Sequence, residues 1–481
     1  MKKITLVLLA AALLATSISG CGQKQEQQTA EVPVLKMYMF GNEQADLQLV
    51  MDKANEILVP KIGAKLDMTV IDTGAYTEKM NMKLATAEEF DVCFTSNWMN
   101  PFTKGVKNGS YMPLKKLIEK NCPELFDTMQ DYWWESVESD GDYYAVPNEQ
   151  ICAGAPAITL DRKWVDKYNL DVDSIKKIGD IEPFLKQIHD NEKDVYPYRV
   201  DGVGMWMIGN YVNITSAIGL DDSEKGELKA IYNWDAKGYE EGLYTLRDWF
   251  LKGYIRRDIA SVMDDTSDFY AGKYVVTNTT YKPGFEASQN NMLGGDNIAI
   301  LMGPGVVVNG ACSGSMLAIS ATSKHPDEAI KLINLLDTDK EFYNLLAHGI
   351  EGKHYNWVDD NHIKLVENGG YYFNMSWAFG NQFNAYLLEG QDDNVWEETR
   401  EINDTAERSR LIGFGFDTTN IQTEITQCST VQSEYKNIFN GSVDLSTGIF
   451  DEYKSKMIAA GADNILKEVQ RQLDEFAKSH K

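Results

Sequence analysis

The chain has 481 residues, of which 43% are apolar, and its 72 acidic against 46 basic side chains give a formal net charge of −26. This length and apolar fraction can build more than one buried core. The negative charge disfavours nucleic acids and polyanions as ligands, but it says little about neutral ones.

The first 20 residues have the pattern of an export signal. Lys2 and Lys3 precede an apolar run, residues 4–15, that is too short to span a bilayer comfortably, and small residues follow it. The segment ends in "ISGC", the form of a bacterial lipobox, which predicts that Cys21 carries a diacylglyceryl group. Removal of the signal takes the net charge to −28 because only the two lysines are charged there. Residues 21–33 are polar and lack aromatics, which predicts a flexible tether on the extracellular face of the membrane.

Residues 34–96 alternate between strand and helix patterns. "VLKMYMF", "KLDMTVI" and "DVCFT" are predicted strands, and the segments between them have the apolar spacing of helices. Short connections of this kind imply right-handed crossovers and a mainly parallel sheet. The fold class is therefore α/β.

Ligands of such sheets bind outside the carboxyl ends of the strands. The loops "FGNEQ", "DTGAY" and "TSNWMN" follow the three predicted strands and are expected at one rim. They supply rings and polar side chains that could face a ligand: Asn42, Glu43, Asp72, Tyr76, Asn97 and Trp98.

A second α/β pattern begins near residue 148, the first pattern returns near residue 314, and the chain is largely helical from about residue 374. Two lobes joined by crossing segments explain this order. The predicted division is a signal peptide (1–20), a tether (21–33), lobe 1 (34–147 plus 314–357) and lobe 2 (148–313 plus 358–481), with the helical region in lobe 2.

Motifs for metals, cofactors and enzymatic chemistry are scarce. The five cysteines after Cys21 are widely spaced and odd in number, which predicts buried thiols and leaves one pairing open. The six histidines have no metal-ligand spacing, and Gly-x-Ser-x-Gly, His-Glu-x-x-His and Walker motifs are absent. We expect no metal, no cofactor and no catalytic residue.

The order of several motifs resembles family 1 extracellular solute-binding proteins, the capture components of ABC importers for sugars. The resemblance rests on the lipobox and on "MYMFGNE", "EFDVCFTSNWMNPFTKGVKNGSYMPLKKLI", "GDYYAVPNE", "FYAGKYVVTNTTY" and "AISATSKHPDEAIKLINLL". The later "HGIEGKHYNW", "WAFGNQF" and "GADNILKEVQRQLDEF" are similar to a lipoprotein subgroup with a C-terminal domain of unknown function.

The resemblance implies two hinged α/β lobes, a ligand held between them, and a membrane permease that recognises the closed form. It implies a monomer that captures a carbohydrate, expected to be an oligosaccharide, without contact to nucleic acid. Carried residue by residue, the family's cleft positions fall on Asn42, Glu43, Asn97, Trp98, Asn148, Glu149, Gln150, Trp206, Tyr281 and Trp377. The stretch "NTTYKPG" departs from the "GPW"-like strand end of many relatives. Tyr281 lies within this stretch, so its alignment with the family's strand-end residue is the one that the departure affects.

Sugar chemistry agrees with these residue types, because rings stack on the C–H faces of sugars while amides and carboxylates bond the hydroxyls. Three alternatives stay open on sequence grounds, of which one is a purely adhesive surface lipoprotein that binds no soluble sugar. A surface glycosidase could act through two carboxylates that only the tertiary fold brings together. A binding protein for peptides or another small polar solute would share the same architecture.

Overall fold

The structure is a computed structural model that describes residues 32–200, 211–221, 226–262, 264–366, 368–373 and 375–479. Its strands are β1 (Val34–Phe40), β2 (Lys65–Ile71), β3 (Val92–Thr95), β4 (Glu138–Ser139), β5 (Asp142–Tyr143), β6 (Val146–Pro147), β7 (Ala153–Asp161), β8 (Tyr196–Tyr198), β9 (Tyr211–Thr215), β10 (Ile218–Asp221), β11 (Ala230–Tyr232), β12 (Tyr274–Tyr281), β13 (Asn297–Leu301), β14 (Val306–Val307), β15 (Met316–Ile319), β16 (Tyr355–Trp357), β17 (His362–Leu365), β18 (Leu387–Leu388) and β19 (Glu407–Arg408).

The α-helices of the described residues alternate with these strands and then dominate the C-terminal part. They are α1 (Leu47–Ile62), α2 (Tyr76–Ala85), α3 (Phe102–Lys107), α4 (Lys115–Asn121), α5 (Asp131–Glu135), α6 (Arg162–Tyr168), α7 (Glu182–Asn191), α8 (Tyr239–Lys252), α9 (Thr266–Tyr270), α10 (Phe285–Leu293), α11 (Pro326–Thr338), α12 (Lys340–His348), α13 (Val395–Thr405), α14 (Gln422–Glu434), α15 (Ile449–Ala459) and α16 (Ala462–Ser479).

The first sheet has the strand order β2-β1-β3-β15-β6. Strands β1, β2 and β3 run parallel, as the alternating pattern predicts, whereas β15 pairs antiparallel with both β3 and β6. The sheet is therefore mixed, because the chain returns from elsewhere to supply β15 rather than through another crossover helix. The carboxyl ends of β1 and β3 lie side by side at one edge, which is the rim where the predicted ligand loops begin.

A second sheet is built around the long strand β7, with the order β19-β14-β7-β12-β8 and β13 paired to β7 as well. Strand β7 is antiparallel to β12, β13 and β14. Helices α7 and α8 bury Phe184, Ile188 and Trp249 against this sheet, which gives it a core of its own. The two-lobed α/β fold expected from the sequence is confirmed.

The helical C-terminal part buries one stripe of its last helix. Ile465, Val469 and Leu473 of α16 recur every four residues and are fully buried, which places them on one face of the helix. This face packs on the small sheet β9–β10–β11 together with α14 and α15. Gln470 ties the helix to the sheet, since its side chain accepts from Ala230 N (2.8 Å) and donates to Leu228 O (2.9 Å).

The buried clusters bear on the lobe boundaries expected from the sequence, which stay a prediction. Phe373, Met375 and Phe379 belong to the same buried cluster as β1 and β3, although the predicted division assigns residues 358–481 to lobe 2. Residues 411–473 cluster with β9–β11, as that division implies. The segment between them therefore contributes to the core of the first sheet before the chain enters the tail.

Helix α12 is capped by the side chain of Asp339, which accepts from Phe342 N at 3.0 Å. The cysteine thiols were expected to be buried. Cys93, Cys122, Cys152, Cys312 and Cys428 are buried free thiols. In the part of the chain that the structure describes, no helix is long and apolar enough to cross a bilayer.

Truncating the buried stripe of α16 should weaken the whole tail. We expect Ile465→Ala to lower the free energy of unfolding by about 2–5 kcal/mol, because it removes fully buried methylene groups and leaves a cavity. Lys467→Ala, at an exposed position of the same helix, is the matched control and should change it by less than about 0.5 kcal/mol. Urea denaturation measures both, and equal effects would show that the stripe does not hold the tail.

Candidate functional site

Four aromatic rings meet at the carboxyl ends of β1 and β3. Trp98 lies 5.9 Å from Phe40, 6.3 Å from Phe94 and 6.3 Å from Trp377, measured between ring centroids. Phe40 and Phe94 are buried, Trp377 is half-buried, and Trp98 is 53% exposed. The buried rings thus support an indole that presents part of its surface to solvent, a geometry suited to stacking on an apolar face.

The Asn97–Trp98 loop also holds a crossing segment in place. The indole Nε1 of Trp98 donates to Gly314 O (2.8 Å), and Nδ2 of Asn97 donates to Gly310 O (2.7 Å). The backbone N of Asn97 donates to Ser313 O at 3.0 Å. Three bonds from two residues therefore fix the segment before β15, and they orient the exposed indole.

Three chain segments are tied together beside this loop. Asn148 donates from its backbone to Ser315 O (2.9 Å) and from Nδ2 to Ser315 Oγ (2.7 Å). Ser315 Oγ in turn donates to Trp377 O (2.9 Å), and both Asn148 and Ser315 are only 1% exposed. We call this set of bonds the Asn148–Ser315–Trp377 junction. It sets the position of Trp377 relative to the sheet edge.

The predicted loop residues Asn42 and Glu43 are exposed directly after β1. Their loop is held by the neighbouring Gln44, which donates from Nε2 to Tyr372 O (3.2 Å) and accepts from Tyr372 N. A β-carbon at Gly41 would come within 3.1 Å of Phe373 and Met375, so only glycine allows this close approach. Asn42 and Glu43 thus lie at the same edge as Trp98, and they leave their side chains to solvent.

The structure contradicts one predicted site residue. Tyr76 is fully buried at the start of α2, and its hydroxyl bonds the carbonyl oxygens of Tyr38 (3.0 Å) and Phe94 (2.9 Å). Burial raises the pKa of this phenol well above its ordinary value. Tyr76 joins helix α2 to the two central strands from inside the core, so it cannot contact a ligand.

Glu149 lies behind the rim. It is half-buried, accepts from Asn381 Nδ2 (2.7 Å) through Oε2, and its backbone carbonyl accepts from Gln382 N (2.8 Å). Desolvation raises its pKa to about 7, although Arg400 and the bond from Asn381 oppose the shift. The buried carboxyl of Asp337 lies close enough to have its own pKa raised, first by burial and then by Glu149. Glu149 is therefore placed to orient Asn381 and the chain after it.

The remaining predicted residues fall in different places. Tyr281 is half-buried at the end of β12, with its ring centroid 6.2 Å from that of Phe285. Gln150 accepts through its backbone oxygen from Asn403 Nδ2 (2.8 Å), and Asp72 is exposed after β2. Trp206 and the lipidation residue Cys21 lie outside the described residues.

Two cavities are lined by neighbours of Trp98. The larger, of about 860 Å³, is lined on one side by Asn97, α3 and residues 136–144, and on the other by β9 and residues 411–418 of the tail. An exposed ion pair between Lys107 and Asp417 (2.6 Å) links these two sides. The smaller cavity, of about 340 Å³, is lined by Trp377 and lies toward the end of β12.

Several residues of this region were not singled out from the sequence. They are Phe40 and Phe94, which support Trp98, Ser315 in the junction, and Lys282, Tyr372 and Tyr386, which line the smaller cavity. Lys282 directly follows a strand end, so the same rule that selected the first loops could have selected it. Across the described ranges, no group of three acidic, histidine or cysteine side chains is arranged to hold a metal ion.

Comparison with known proteins agrees with this geometry. Residues 410–478 match the family described as "Domain of unknown function (DUF3502)". A "Carbohydrate ABC transporter substrate-binding protein" of Streptococcus pneumoniae is 27% identical over 497 aligned positions, which cover 100% of this chain and 99% of the relative.

Solved structures of a pneumococcal protein share the fold. The N-glycan transport solute binding protein NgtS of Streptococcus pneumoniae is 26% identical, superposes with a TM-score of 0.81, and covers 93% of this chain and 100% of its own. This chain is similar to this extracellular solute-binding protein over nearly its whole length. The same protein in complex with Man1GlcNAc superposes with a TM-score of 0.68, at 26% identity and the same coverage. The solute-binding resemblance read from the sequence, with its C-terminal domain of unknown function, is confirmed.

The burial of Tyr76 can be tested by its effect on stability. We expect Tyr76→Phe to lower the free energy of unfolding by about 1–2 kcal/mol, because two buried carbonyl oxygens lose their shared donor. Tyr270→Phe, at a tyrosine that is 54% exposed, is the control and should have almost no effect. Chemical denaturation measures the free energy of unfolding of both variants. Equal values for Tyr76→Phe and Tyr270→Phe would show that the Tyr76 hydroxyl makes no stabilising bond in the core.

Glu149 should make stability depend on pH in a defined direction. Its pKa is raised from 4.5 to about 7 in the folded protein, so the folded state binds the proton more tightly than the unfolded chain. The contribution of this group to the free energy of unfolding is therefore full below pH 4.5 and falls as the pH rises to 7. Since Gln resembles the protonated form, Glu149→Gln should add roughly 2–3 kcal/mol relative to the wild type at pH 8.

The same substitution should add little at pH 4.5, where Glu149 is protonated in the folded protein and half protonated in the unfolded chain. Urea denaturation of the two proteins at pH 4.5 and pH 8 gives the four free energies needed. Glu192→Gln serves as the control, because the pKa of that carboxyl is lowered by Lys167 and Tyr168 and its effect should have the opposite sign. A gain from Glu149→Gln that is equal at both pH values would contradict the assignment.

Proposed function

We propose that this protein captures an oligosaccharide between its lobes and delivers it to an ABC permease. The observation that carries the proposal is the half-exposed indole of Trp98, which is supported by buried rings and whose neighbours Asn97 and Trp377 each line a cavity. A sugar ring would stack on Trp98 with Trp377 beside it, and the amide of Asn97 faces the larger cavity. Asn42, Glu43 and Tyr281 are proposed to contact the ligand from the rim.

The relatives support a carbohydrate as the ligand class. NgtS is solved with Man1GlcNAc, and the curated pneumococcal relative is named for carbohydrate transport. Both align with nearly the whole of this chain, so the comparison covers the strand ends as well as the tail. The ABC permease as partner comes from the same name.

Binding is proposed to close the lobes around the ligand. The TM-score falls from 0.81 for the NgtS structure whose name gives no ligand to 0.68 for NgtS with Man1GlcNAc, a difference expected if the lobes of such proteins reorient while each keeps its fold. A ligand that contacts both lobes shifts the equilibrium by its differential affinity for the closed form. The lobes are proposed to follow the division expected from the sequence, with residues 371–385 moving with lobe 1.

The contacts available are sufficient for useful affinity without any catalytic group. An aromatic contact adds about 0.5–1.5 kcal/mol beyond area burial, and each net hydrogen bond adds a similar amount. A few of each can reach the roughly −8 kcal/mol of a micromolar complex after ordering costs. We propose that the protein acts as a monomer, without enzymatic activity, and is held at the extracellular face of the membrane by a lipid on Cys21.

Replacing the exposed indole is the direct test. We expect Trp98→Ala to weaken binding of the best ligand from a glycan panel by about tenfold or more, since stacking and buried area are both lost. Isothermal titration calorimetry measures the affinity, after thermal-shift screening of a panel that includes Man1GlcNAc, fructo-oligosaccharides and cello-oligosaccharides. The free energy of unfolding should fall by only about 1 kcal/mol, because Trp98 is half-exposed and loses one hydrogen bond.

Tyr244→Ala is the matched control, because this ring is 54% exposed on α8 and outside both cavities. It should leave the affinity unchanged. Unchanged affinity in Trp98→Ala together with a large loss of stability would make Trp98 a core residue. A protein that binds no glycan of the panel would contradict the proposed function itself.

A further inference from the structure

The smaller cavity is lined by separate parts of the chain. Lys282 and Gly284 follow β12 of the second sheet, and Ala347 and His348 end α12. Ile151 and Leu365 contribute one residue each, and the other lining residues lie between Tyr371 and Thr399. A β-carbon at Gly284 would lie 3.0 Å from Val395 Cγ2, so the strand end approaches α13 closely. The cavity, of about 340 Å³, has room for roughly one or two sugar rings.

The charge of this wall differs from that of the whole protein. Lys282 is the one charged side chain among the described residues that line the cavity, and none of them is acidic. The chain as a whole carries 72 acidic and only 46 basic side chains. An uncompensated cation in a wall without carboxylates is therefore not explained by the general composition of the surface.

Lys282 is also free of protein partners within the described part of the chain. Its side chain is exposed to the cavity, and it makes none of the ion pairs or side-chain hydrogen bonds that tie Lys83, Lys120 and Lys167 to carboxylates. The surrounding protein lowers the pKa of its ammonium by removing part of its hydration, and no carboxylate offsets that effect. A ligand anion would supply the missing partner.

The other groups in the wall suit a sugar ring that carries this anion. Tyr372, which is 52% exposed, Trp377 and Tyr386 provide aromatic faces. Gln391 accepts from Leu388 N through Oε1 (2.7 Å), which fixes its amide and leaves Nε2 without a partner among the described residues. His348 is only 9% exposed, and its Nε2 has no hydrogen-bond partner there either.

From this wall we infer that the smaller cavity binds an anionic sugar unit of the ligand, with Lys282 contacting its carboxylate. The inference rests on the proposed carbohydrate function and adds a charged unit to it. Trp377 connects the two parts of the site, because it lines this cavity and lies 6.3 Å from Trp98. One oligosaccharide can therefore stack on Trp98 and place its carboxylated unit beside Lys282.

The negative charge of the protein does not prevent this contact. Exposed charges more than about 8–10 Å apart are largely screened at physiological ionic strength, so distant carboxylates act weakly on a bound ligand. A contact with an ammonium acts at hydrogen-bond distance, where a charge-assisted bond is stronger than a neutral one. The excess of acidic side chains in the protein still disfavours polyanions as ligands, because their other charges would find no cations in this wall. The expected ligand is a mostly neutral glycan with one acidic sugar.

The test compares ligands that differ in one carboxylate. The probes are Man1GlcNAc and cellobiose, each paired with its analogue in which the primary alcohol of the non-reducing sugar is oxidised to a carboxylate. Titration calorimetry with the mature protein should show the acidic member of at least one pair binding about tenfold more tightly, as expected for one modest charge-assisted bond. The methyl ester of that acid should bind as weakly as the neutral sugar.

Variants of Lys282 assign the effect to the cavity. Lys282→Met should abolish the preference for the acid over the neutral probe, whereas Lys282→Arg should keep most of the preference. Lys116→Met removes the same charge at an exposed position of α4 and should behave as the wild type. Unchanged melting temperatures would show that all three variants are folded.

Each outcome decides between the two proposals. Binding of neutral probes without any preference for acids, or a preference that survives in Lys282→Met, would overturn the anionic subsite and leave carbohydrate capture standing. An equal preference for a 6-sulfated probe would widen the anion to sulfate esters, and its loss in Lys282→Met would still assign the contact to this residue. A wild-type protein that binds neither member of any pair would overturn both proposals.

Discussion

The structure depends first on the junction of Asn148, Ser315 and Trp377. These residues belong to three chain segments that are more than 60 residues apart in sequence, and their bonds of 2.7–2.9 Å join the segments in a nearly fully buried place. Buried polar groups are costly when unpaired, so the bonds specify one arrangement of the segments more than they add net stability. The indole of Trp377 takes its position from this arrangement, and Trp98 is set against it.

The proposed binding surface follows from this constraint and from the ends of two parallel strands. Strand β1 delivers Phe40, strand β3 delivers Phe94, and the loop after β3 places Trp98 over both rings. The same loop bonds the segment at residues 310–314, so the element that positions the indole also anchors a crossing between the sheets. The proposed ligand contact and the proposed hinge are thereby positioned by neighbouring atoms.

Sequence patterns predicted the fold well because the periodicity of helices and strands is a local property. The rule that ligands bind outside the carboxyl ends of strands likewise needs only the residues that follow each strand. The bounds of β1 and β2 agree with the predicted strands, and Trp98 was found because it directly follows a buried strand. Tyr76 was misplaced because loop position alone does not reveal that a helix turns its first ring inward to two carbonyl oxygens. Trp377 was found only through a family resemblance, because its neighbour Trp98 is 279 residues away in sequence. Lys282 follows a strand end, but the sequence does not show that no carboxylate lines the cavity around it, because that depends on the tertiary structure.

The Lys107–Asp417 ion pair has a mechanical consequence for access to the larger cavity. Its side chains are 64% and 49% exposed, and such pairs contribute only about 0–1 kcal/mol because water and salt weaken them. An ion pair of that strength is comparable to thermal energy, so it can break and re-form many times without unfolding any neighbouring element. The time that a solute spends in the cavity would then depend on the rings and amides that it contacts rather than on this ion pair.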